Sequence, residues 1–345
     1  MKKLVLALTM MLLFLVSCGK KDTATTEAAP ETKTEAAPEG KKIKVAIVYS
    51  TGGLGDNSFN DAAKRGLDEA KEKLGIEYDQ YEPKDASAEA ESELRRYAES
   101  GEYDLIIGTG FTMKDAVLNV AKDFPDQKFA IVDERIEGHS NIASLSFKEH
   151  EGSFLAGALA AMMTKSNTVG FVGGAEAPLI KKFEVGFEQG AKYVNPDIKV
   201  LAIYVGGANP FSDPASAKIK TETLVQQGAD IIYHAAGASG QGVFNAAQEK
   251  KVYAIGVDSN QDALAKGIIL SSMLKKVDTG VFNIVKNVQD GTYEAKIYEY
   301  GLKENGVGLT DFEFTKDTIG EDNIKKLDEI KQKIINGEIE VKATK

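Results

Sequence analysis

Two stretches of the chain repeat one pattern and decide its fold: KVAIVYSTGGLGDNSF at residues 44–59 and TVGFVGGAEAPLIKKFEVGF at residues 168–187. Each passes from consecutive apolar residues, typical of a strand covered on both faces, through a glycine-rich loop into a helical pattern. Because this strand-to-helix unit starts twice, the sequence predicts an α/β protein with two similar lobes built on parallel sheets.

The alternation of strands and helices continues after both stretches. The predicted strands are 43–49, 105–108, 128–132, 142–146, 168–172, 199–204, 231–234 and 252–257, with 268–276 and 295–302 returning between the lobes. The predicted helices are 61–74, 89–100, 113–124, 151–163, 180–195, 215–227, 242–249 and a final helix at 320–336. About 305 residues take part in this pattern, which is too long for one core and favours two domains.

The N-terminal residues predict export and anchoring. Lys2 and Lys3 precede an apolar run at residues 4–16, which is long enough for a signal sequence and short for a membrane span. Cys18, the single cysteine, stands where a lipobox requires it, so residues 1–17 are predicted to be a cleaved signal peptide. Lipid on Cys18 would hold the protein on the cell membrane, exposed to the periplasm or the exterior. The alternative is a signal peptide that happens to contain a cysteine.

Residues 18–41 form a predicted disordered tether. The segment repeats Thr, Glu, Ala and Pro and lacks aromatic and large apolar residues after its first positions, so it cannot bury enough surface to offset the entropy of ordering. No second apolar stretch is long enough to span a membrane, and the lipid is therefore the only membrane contact that the sequence predicts.

Charge and composition argue against several functions. The net charge is -10 and the part after the tether has no basic cluster, which disfavours nucleic acid. The three histidines are scattered, no thiol remains beyond Cys18, and GASGQG misses the nucleophile pattern G-x-S-x-G by one residue. Known metal motifs are also missing from the sequence. We therefore expect no catalytic residue, no metal and no cofactor.

Candidate ligand residues follow the predicted strands, because open parallel sheets bind ligands beyond the carboxyl ends of their strands. In the first loop, Asp56, Asn57, Phe59 and Asn60 suit either a polar grip on a ligand or a helix cap. Further along the first lobe, Phe111 ends a GTGF turn. Asp133 follows FAIV and could accept sugar hydroxyls or pair with Arg135.

The second lobe offers a similar set. Phe183 lies in the first turns of a helix after a glycine-rich loop and suits either ring stacking or the core, while Gly237 lies in the loop AAGASG. Asp258 and Lys275 each end a strand, and His234 closes another strand and could face the cleft. Acids, a lysine and aromatic rings together suit a ligand with hydroxyls and a planar ring.

Eight motifs in one order connect the chain with a known family. They are GDNSFND, GTGF, FAIVD, FKEHEGSFLAGALAA, KKFEVGFEQGAK, AAGASGQGVF, GVDSNQ and SSMLKKVD. The chain resembles the basic membrane protein family, which includes the purine nucleoside receptor A lipoproteins, from about residue 42 to its end. The resemblance implies a type I periplasmic-binding-protein fold: two Rossmann-like lobes with parallel sheets and a three-strand hinge. It also implies a monomer that captures nucleosides by hinge closure and delivers them to an ABC permease.

The resemblance also assigns roles and boundaries. Asp56 and Asn57 would read the base, Asp133, Asp258 and Lys275 would hold the ribose, and Phe183 is the stacking candidate. Lys64 stands where many members carry an aromatic residue, so stacking here would be one-sided or would use Phe59 or Phe111. The first lobe would comprise residues 42–146 and about 277–300, and the second 147–276 and about 301–345. A binding protein for another flat or sugar-like ligand, such as riboflavin or a pentose, is the alternative, and a nucleoside hydrolase is a distant one.

Overall fold

The computed structural model describes residues 42–344, except for the side chains of residues 86 and 87. The predicted signal peptide, the lipidated Cys18 and the tether therefore lie outside the described residues. Within residues 42–344, no helix combines the length and the apolar character that crossing a membrane requires.

The first sheet has six strands in the order β11-β5-β4-β3-β1-β2. The strands are β1 (Lys44–Val48), β2 (Glu77–Tyr81), β3 (Leu105–Thr109), β4 (Phe129–Val132), β5 (Ile142–Phe147) and β11 (Ile297–Tyr300). All five neighbouring pairs are parallel. The carboxyl ends of these strands therefore meet at one edge of the sheet.

The second sheet repeats this order with six later strands, as β12-β10-β9-β8-β6-β7. They are β6 (Thr168–Gly173), β7 (Lys199–Tyr204), β8 (Ile231–Ala235), β9 (Tyr253–Asp258), β10 (Ile269–Lys275) and β12 (Val307–Leu309). Only the edge strand β12 runs antiparallel to its neighbour among these strands. The chain passes between the sheets three times, after β5, β10 and β11. The predicted α/β architecture of two lobes with parallel sheets is confirmed.

Helices cover both faces of the two sheets. They are α1 (Phe59–Leu74), α2 (Ala86–Ser100), α3 (Lys114–Asp123), α4 (Glu149–Met163), α5 (Pro178–Val194), α6 (Pro214–Gln226), α7 (Gly240–Lys250), α8 (Val277–Gln289), α9 (Lys316–Ile319) and α10 (Glu321–Ile335). Helix α8 packs on α1 of the first lobe, whereas α4 packs on α5, β10 and α10 of the second lobe. Close contact of α4 with α5 depends on Gly157 and Gly190, where a Cβ would overlap the backbone of the other helix.

Four elements were not predicted from the sequence: β2, β12, α8 and α9, of which α9 has only four residues. Strand β2 reads EYDQY and is mostly solvent-facing, because it lies at the sheet edge and pairs only with β1. Strand β12 has only three residues. The apolar stripe of α8, which includes Val281 and Ile284, directly follows the strand β10, so the two patterns merge in the sequence.

Candidate ligand-binding cleft

A cavity lies between the two lobes at the carboxyl ends of their strands. Its empty volume, which includes space open to solvent, is about 530 Å³. Nine of the ten residues predicted to bind ligand line it: Asp56, Phe59, Asn60, Phe111, Asp133, Phe183, Gly237, Asp258 and Lys275. Loops that lie far apart in sequence are thus brought together around one space.

Asp133 and Asp258 occupy equivalent places in the two lobes. Asp133 follows β4 and Asp258 ends β9, and these are the corresponding strands of the two sheets. Both residues have left-handed backbones, with φ of 70° and 64°, which Asp tolerates better than most residues. The same turn at equivalent strand ends places one buried carboxylate from each lobe at the cavity.

Lys275 joins the two lobes through a buried ion pair. It ends β10 of the second sheet, and its Nζ lies 2.5 Å from Oδ2 of Asp133 in the first lobe and 3.4 Å from Oε1 of Glu149. The ammonium group also lies 5.1 Å from the ring centre of Phe59 and 5.5 Å from that of Phe183, within cation–π distance. The cation is therefore held by acids and ring faces from both lobes.

Lys275 is one cation near three carboxyl groups, and burial raises the pKa values of two of them. Burial raises the pKa of Asp133 to about 6, although the nearby Lys275 opposes the shift. Burial also raises the pKa of Asp258, again against the attraction of Lys275. For Lys275, burial alone would lower the pKa, but Asp133, Glu149 and Asp258 outweigh it and raise the pKa. Oδ1 of Asp133 has no hydrogen-bond partner among the described residues, so this atom can accept a hydrogen bond from a ligand.

Glu149 was not identified as a site residue from the sequence. It is fully buried at the start of α4, and its Oε2 lies 3.2 Å from Nζ of Lys182. The sequence indicated Glu149 only as part of the motif FKEHEGSF, because no local pattern shows that the distant Lys275 lies close to it in the fold.

Asp56 both lines the cavity and holds the start of α1. Its carboxylate accepts the backbone N–H groups of Ser58, Asn60 and Asp61 at 2.8, 2.9 and 3.1 Å, respectively. Burial raises its pKa to about 6 despite these donors. Asp56 therefore caps the start of α1, and the same residue also borders the cavity. Asn57 is exposed and does not line the cavity, although its carbonyl oxygen accepts a hydrogen bond from Gln261.

Aromatic side chains from both lobes line the rest of the cavity. Phe59 and Phe111 come from the first lobe, and Phe183 and Phe211 from the second. The rings of Phe111 and Phe211 meet across the cleft, with centres 6.5 Å apart and planes inclined by 75°. Phe211 was missed because it lies several residues beyond β7, and its signal is a single aromatic residue within the loop GGANPFSDP. Lys64 instead donates to Asp68 and Tyr78 within its own lobe.

The described residues provide no arrangement for metal or histidine chemistry at the cavity. His234 is buried, its Nε2 lies 3.2 Å from Oε1 of Gln261, and it does not line the cavity. Burial lowers its pKa to about 4, so it is neutral at pH 7. Across residues 42–344 no group of three His, Cys, Asp or Glu side chains could hold a metal ion.

Two parallel-sheet lobes that enclose a small polar and aromatic cavity suit the binding of a small solute. The family model described as "ABC transporter substrate-binding protein PnrA-like" matches residues 42–345. The chain belongs to this family, as the resemblance predicted.

Individual relatives agree with this assignment. The chain is similar to the "ABC transporter nucleoside-binding protein BmpA" of Lactococcus lactis subsp. cremoris, with 35% identity over 335 residues, which cover 90% of this chain and 92% of that protein. It is also similar to the "CD4+ T-cell-stimulating antigen" of Listeria monocytogenes, with 37% identity covering 87% of this chain and 88% of that protein. The crystal structure of a solute-binding protein of an ABC transporter system from Aeropyrum pernix K1 gives a TM-score of 0.79 at 32% identity, covering 86% and 92% of the two chains.

The protein is therefore a substrate-binding protein of an ABC transporter and not an enzyme. Its partners are a small-molecule ligand and a permease. Other relatives are named lipoproteins or basic membrane proteins, among them a lipoprotein of Pyrococcus abyssi that is 37% identical over 330 residues.

Proposed function

We propose that this protein captures nucleosides, with purine nucleosides preferred, in the cleft between its lobes. The observation that carries the proposal is the placement of Asp133 and Asp258 at equivalent strand ends of one cavity, with Lys275 ion-paired to Asp133. The name of the Lactococcus lactis relative, a nucleoside-binding protein, supports the same ligand class.

The chemistry of the cleft suits the two parts of a nucleoside. A ribose presents adjacent hydroxyl groups, which donate hydrogen bonds to carboxylates such as Asp133 and Asp258, while the Lys275 ammonium donates to a hydroxyl oxygen. The flat base would lie against the aromatic side chains, with Phe183 as the stacking candidate and Phe211 opposite Phe111. Asp56 and Asn60 border the same space.

The local charge favours a neutral nucleoside over a nucleotide. Asp133, Asp258 and Glu149 surround Lys275, and Asp56 adds a further carboxyl group to the cavity wall. A phosphate group brought into this buried set of acids would meet like charge, which is costly where water is excluded.

Native mass spectrometry of protein purified without refolding tests the ligand class. We expect a mass increase that matches a purine nucleoside, and calorimetric titration with inosine and guanosine should show saturable binding. A mass increase that matches riboflavin or a pentose would instead establish the alternative receptor. Turnover of inosine by the purified protein would contradict the proposal that the protein only binds its ligand.

We propose lipid anchoring through Cys18, with residues 18–41 as the tether. Replacing Cys18 with serine is expected to release the protein from the membrane or leave it unprocessed, because lipid attachment requires the thiol. Fractionation of cells that express the parent and Cys18→Ser proteins measures this. A variant that remains membrane-bound after removal of the signal peptide would rule out the lipobox assignment.

We also propose that a nucleoside closes the two lobes of one protein molecule. The moving bodies would be residues 42–146 with about 277–300, and residues 147–276 with about 301–345. Adding inosine is expected to reduce the radius of gyration in X-ray scattering, with a forward intensity that matches a monomer. It should also stabilise the fold, by about 2.7 kcal/mol at a ligand concentration 100 times Kd. A scattering curve that does not change at saturation would contradict closure.

A further inference from the structure

Two loops from opposite lobes meet beside the cavity. Oγ of Ser58, at the start of α1, donates to Oδ2 of Asp258 at 2.5 Å. Oγ of Ser259 donates back to the carbonyl oxygen of Ser58 at 3.0 Å, and Nε2 of Gln261 donates to the carbonyl oxygen of Asn57 at 3.1 Å. Since each bond joins the first lobe to the second, all three depend on the lobes being together.

Arg65 extends this contact on the outer side. It lies two turns into α1, and its Nη2 donates to Oγ of Ser259 at 2.9 Å and lies 3.6 Å from Oδ2 of Asp278. Helices α1 and α8 approach each other closely here. Gly66 permits this approach, since a Cβ at that position would overlap the carbonyl oxygen of Asp278. Arg65 therefore projects from a fixed base near the hinge and reaches the residue that follows Asp258.

Neither Ser58 nor Arg65 is among the residues that line the ligand cavity. Arg65 borders a separate outer groove, which Asp258 and Ser259 also line. Asp258 thus lies between the cavity on one side and the contact made by Ser58 and Arg65 on the other. Any effect of these two residues on a bound ligand must act through Asp258 or through lobe closure.

We infer that Ser58 and Arg65 are positioning residues that clasp the closed lobes around Asp258 and set how long a bound ligand is retained. Closure brings the Ser58 hydroxyl to Asp258 and orients the carboxylate, and the ligand held by that carboxylate keeps the lobes together in turn. Lobe closure and ligand binding stabilise each other, because only the closed state contains both the Ser58–Asp258 contact and the contacts of Asp258 with the ligand. The nucleoside in the test below rests on the proposed function, whereas the clasp itself does not.

Stopped-flow kinetics with inosine test the clasp. We expect Ser58→Ala to release ligand about ten to a hundred times faster, because it loses a buried hydrogen bond to a charged group. Arg65→Ala should release it about three to ten times faster, since its bond is partly exposed to water. Association rates should stay within about twofold, because open lobes lack these contacts. Equal effects on association and release, or unchanged release rates, would overturn the inference.

Lys64→Ala is the matched control. Lys64 is the neighbouring cation on the same helix, but its Nζ bonds to Asp68 and Tyr78 within the first lobe. We expect its loss to leave the release rate unchanged. If Lys64→Ala accelerates release as much as Arg65→Ala, the effect comes from the charge of α1, and the clasp is excluded.

A double-mutant cycle tests whether Ser58 acts through Asp258. In an Asp258→Ala background, Ser58→Ala should cause no further weakening, because the acceptor of its hydrogen bond is already gone. Additive losses would show that Ser58 acts independently of Asp258 and would overturn the inference. The melting temperature of each variant shows whether the protein is folded, so that weaker binding is not confused with unfolding.

An inter-lobe distance measurement separates this inference from the proposed ligand. Because Cys18 is the single cysteine, spin labels can be attached to Lys122→Cys and Gln248→Cys, on exposed positions of α3 and α7, in a full-length Cys18→Ser chain. Without ligand, a minor population of the parent should show the short inter-lobe distance of the closed state. Ser58→Ala and Arg65→Ala should reduce this population, and Lys64→Ala should not. If inosine does not change the inter-lobe distances of the parent, the nucleoside proposal alone is contradicted. If Ser58→Ala and Arg65→Ala do not change the ligand-free distances, the clasp alone is contradicted.

Discussion

Replacing Asp258 with alanine is expected to weaken nucleoside binding about tenfold to several hundredfold while the fold persists. The carboxylate is buried at the end of β9, lines the cavity and accepts a hydrogen bond from Ser58 across the cleft. Its loss would remove one or two charge-assisted hydrogen bonds to ribose, each contributing roughly 1.5–3 kcal/mol. Calorimetric titration with inosine, guanosine and the free base measures the change.

Asp262→Ala provides the control for a buried acid in the same region. Asp262 is also buried, but its carboxylate accepts from Ser272 within the second lobe and does not line the cavity. We expect this variant to lose stability yet bind nucleoside like the parent once folded. The ribose assignment fails if Asp258→Ala binds inosine as tightly as the parent. It also fails if the parent binds the free base as tightly as the nucleoside.

Replacing Lys275 with methionine is expected to lower the free energy of unfolding by about 3–5 kcal/mol at pH 7.5 and to abolish nucleoside binding. Methionine keeps most of the unbranched apolar part of the side chain but leaves Asp133, Glu149 and Asp258 buried without their neighbouring cation. Removing one partner of a buried ion pair costs this much because the remaining charge stays desolvated. Urea denaturation, followed by calorimetry under native conditions, measures both effects.

The loss caused by Lys275→Met should depend on pH in a defined direction. Burial raises the folded-state pKa of Asp133 to about 6, above an unfolded value of about 3.9. The stability linked to its protonation is therefore complete below about pH 3.9 and is lost as pH rises through 6. Without Lys275, which opposes the shift, the pKa of Asp133 should rise further. The difference between parent and variant should thus be largest above pH 7 and shrink towards pH 5.

Two comparisons make this prediction specific. Lys182→Met removes a partly exposed lysine that contacts the same Glu149, and it should cost much less stability. Adding Asp133→Asn to Lys275→Met should recover part of the lost stability, because one buried charge is then removed. A stability loss that does not depend on pH and is not recovered by Asp133→Asn would show that Lys275 acts only by filling space.

The strand-end residues show how far local sequence patterns reach. Asp133 and Asp258 were identified because each follows a run of apolar residues, and parallel strands bring their carboxyl ends to one edge. Glu149 and Ser58 have no such signal. Their importance comes from Lys275 and Asp258, which are far along the chain, so that only folding brings the partners within hydrogen-bond distance.

The sequence by itself determined the two-lobed α/β fold, the family and nine of the residues that line the cavity, because apolar periodicity and the motifs after strands are local properties. Only the tertiary structure decided that Asp56 caps α1, that Phe211 faces Phe111 and that Lys275 is surrounded by acids from both lobes. The contacts of Phe211 and Lys275 depend on the relative placement of two sheets joined by three chain crossings, whereas the cap by Asp56 is local to its loop. That placement arises from packing between segments distant in sequence, which no local pattern records.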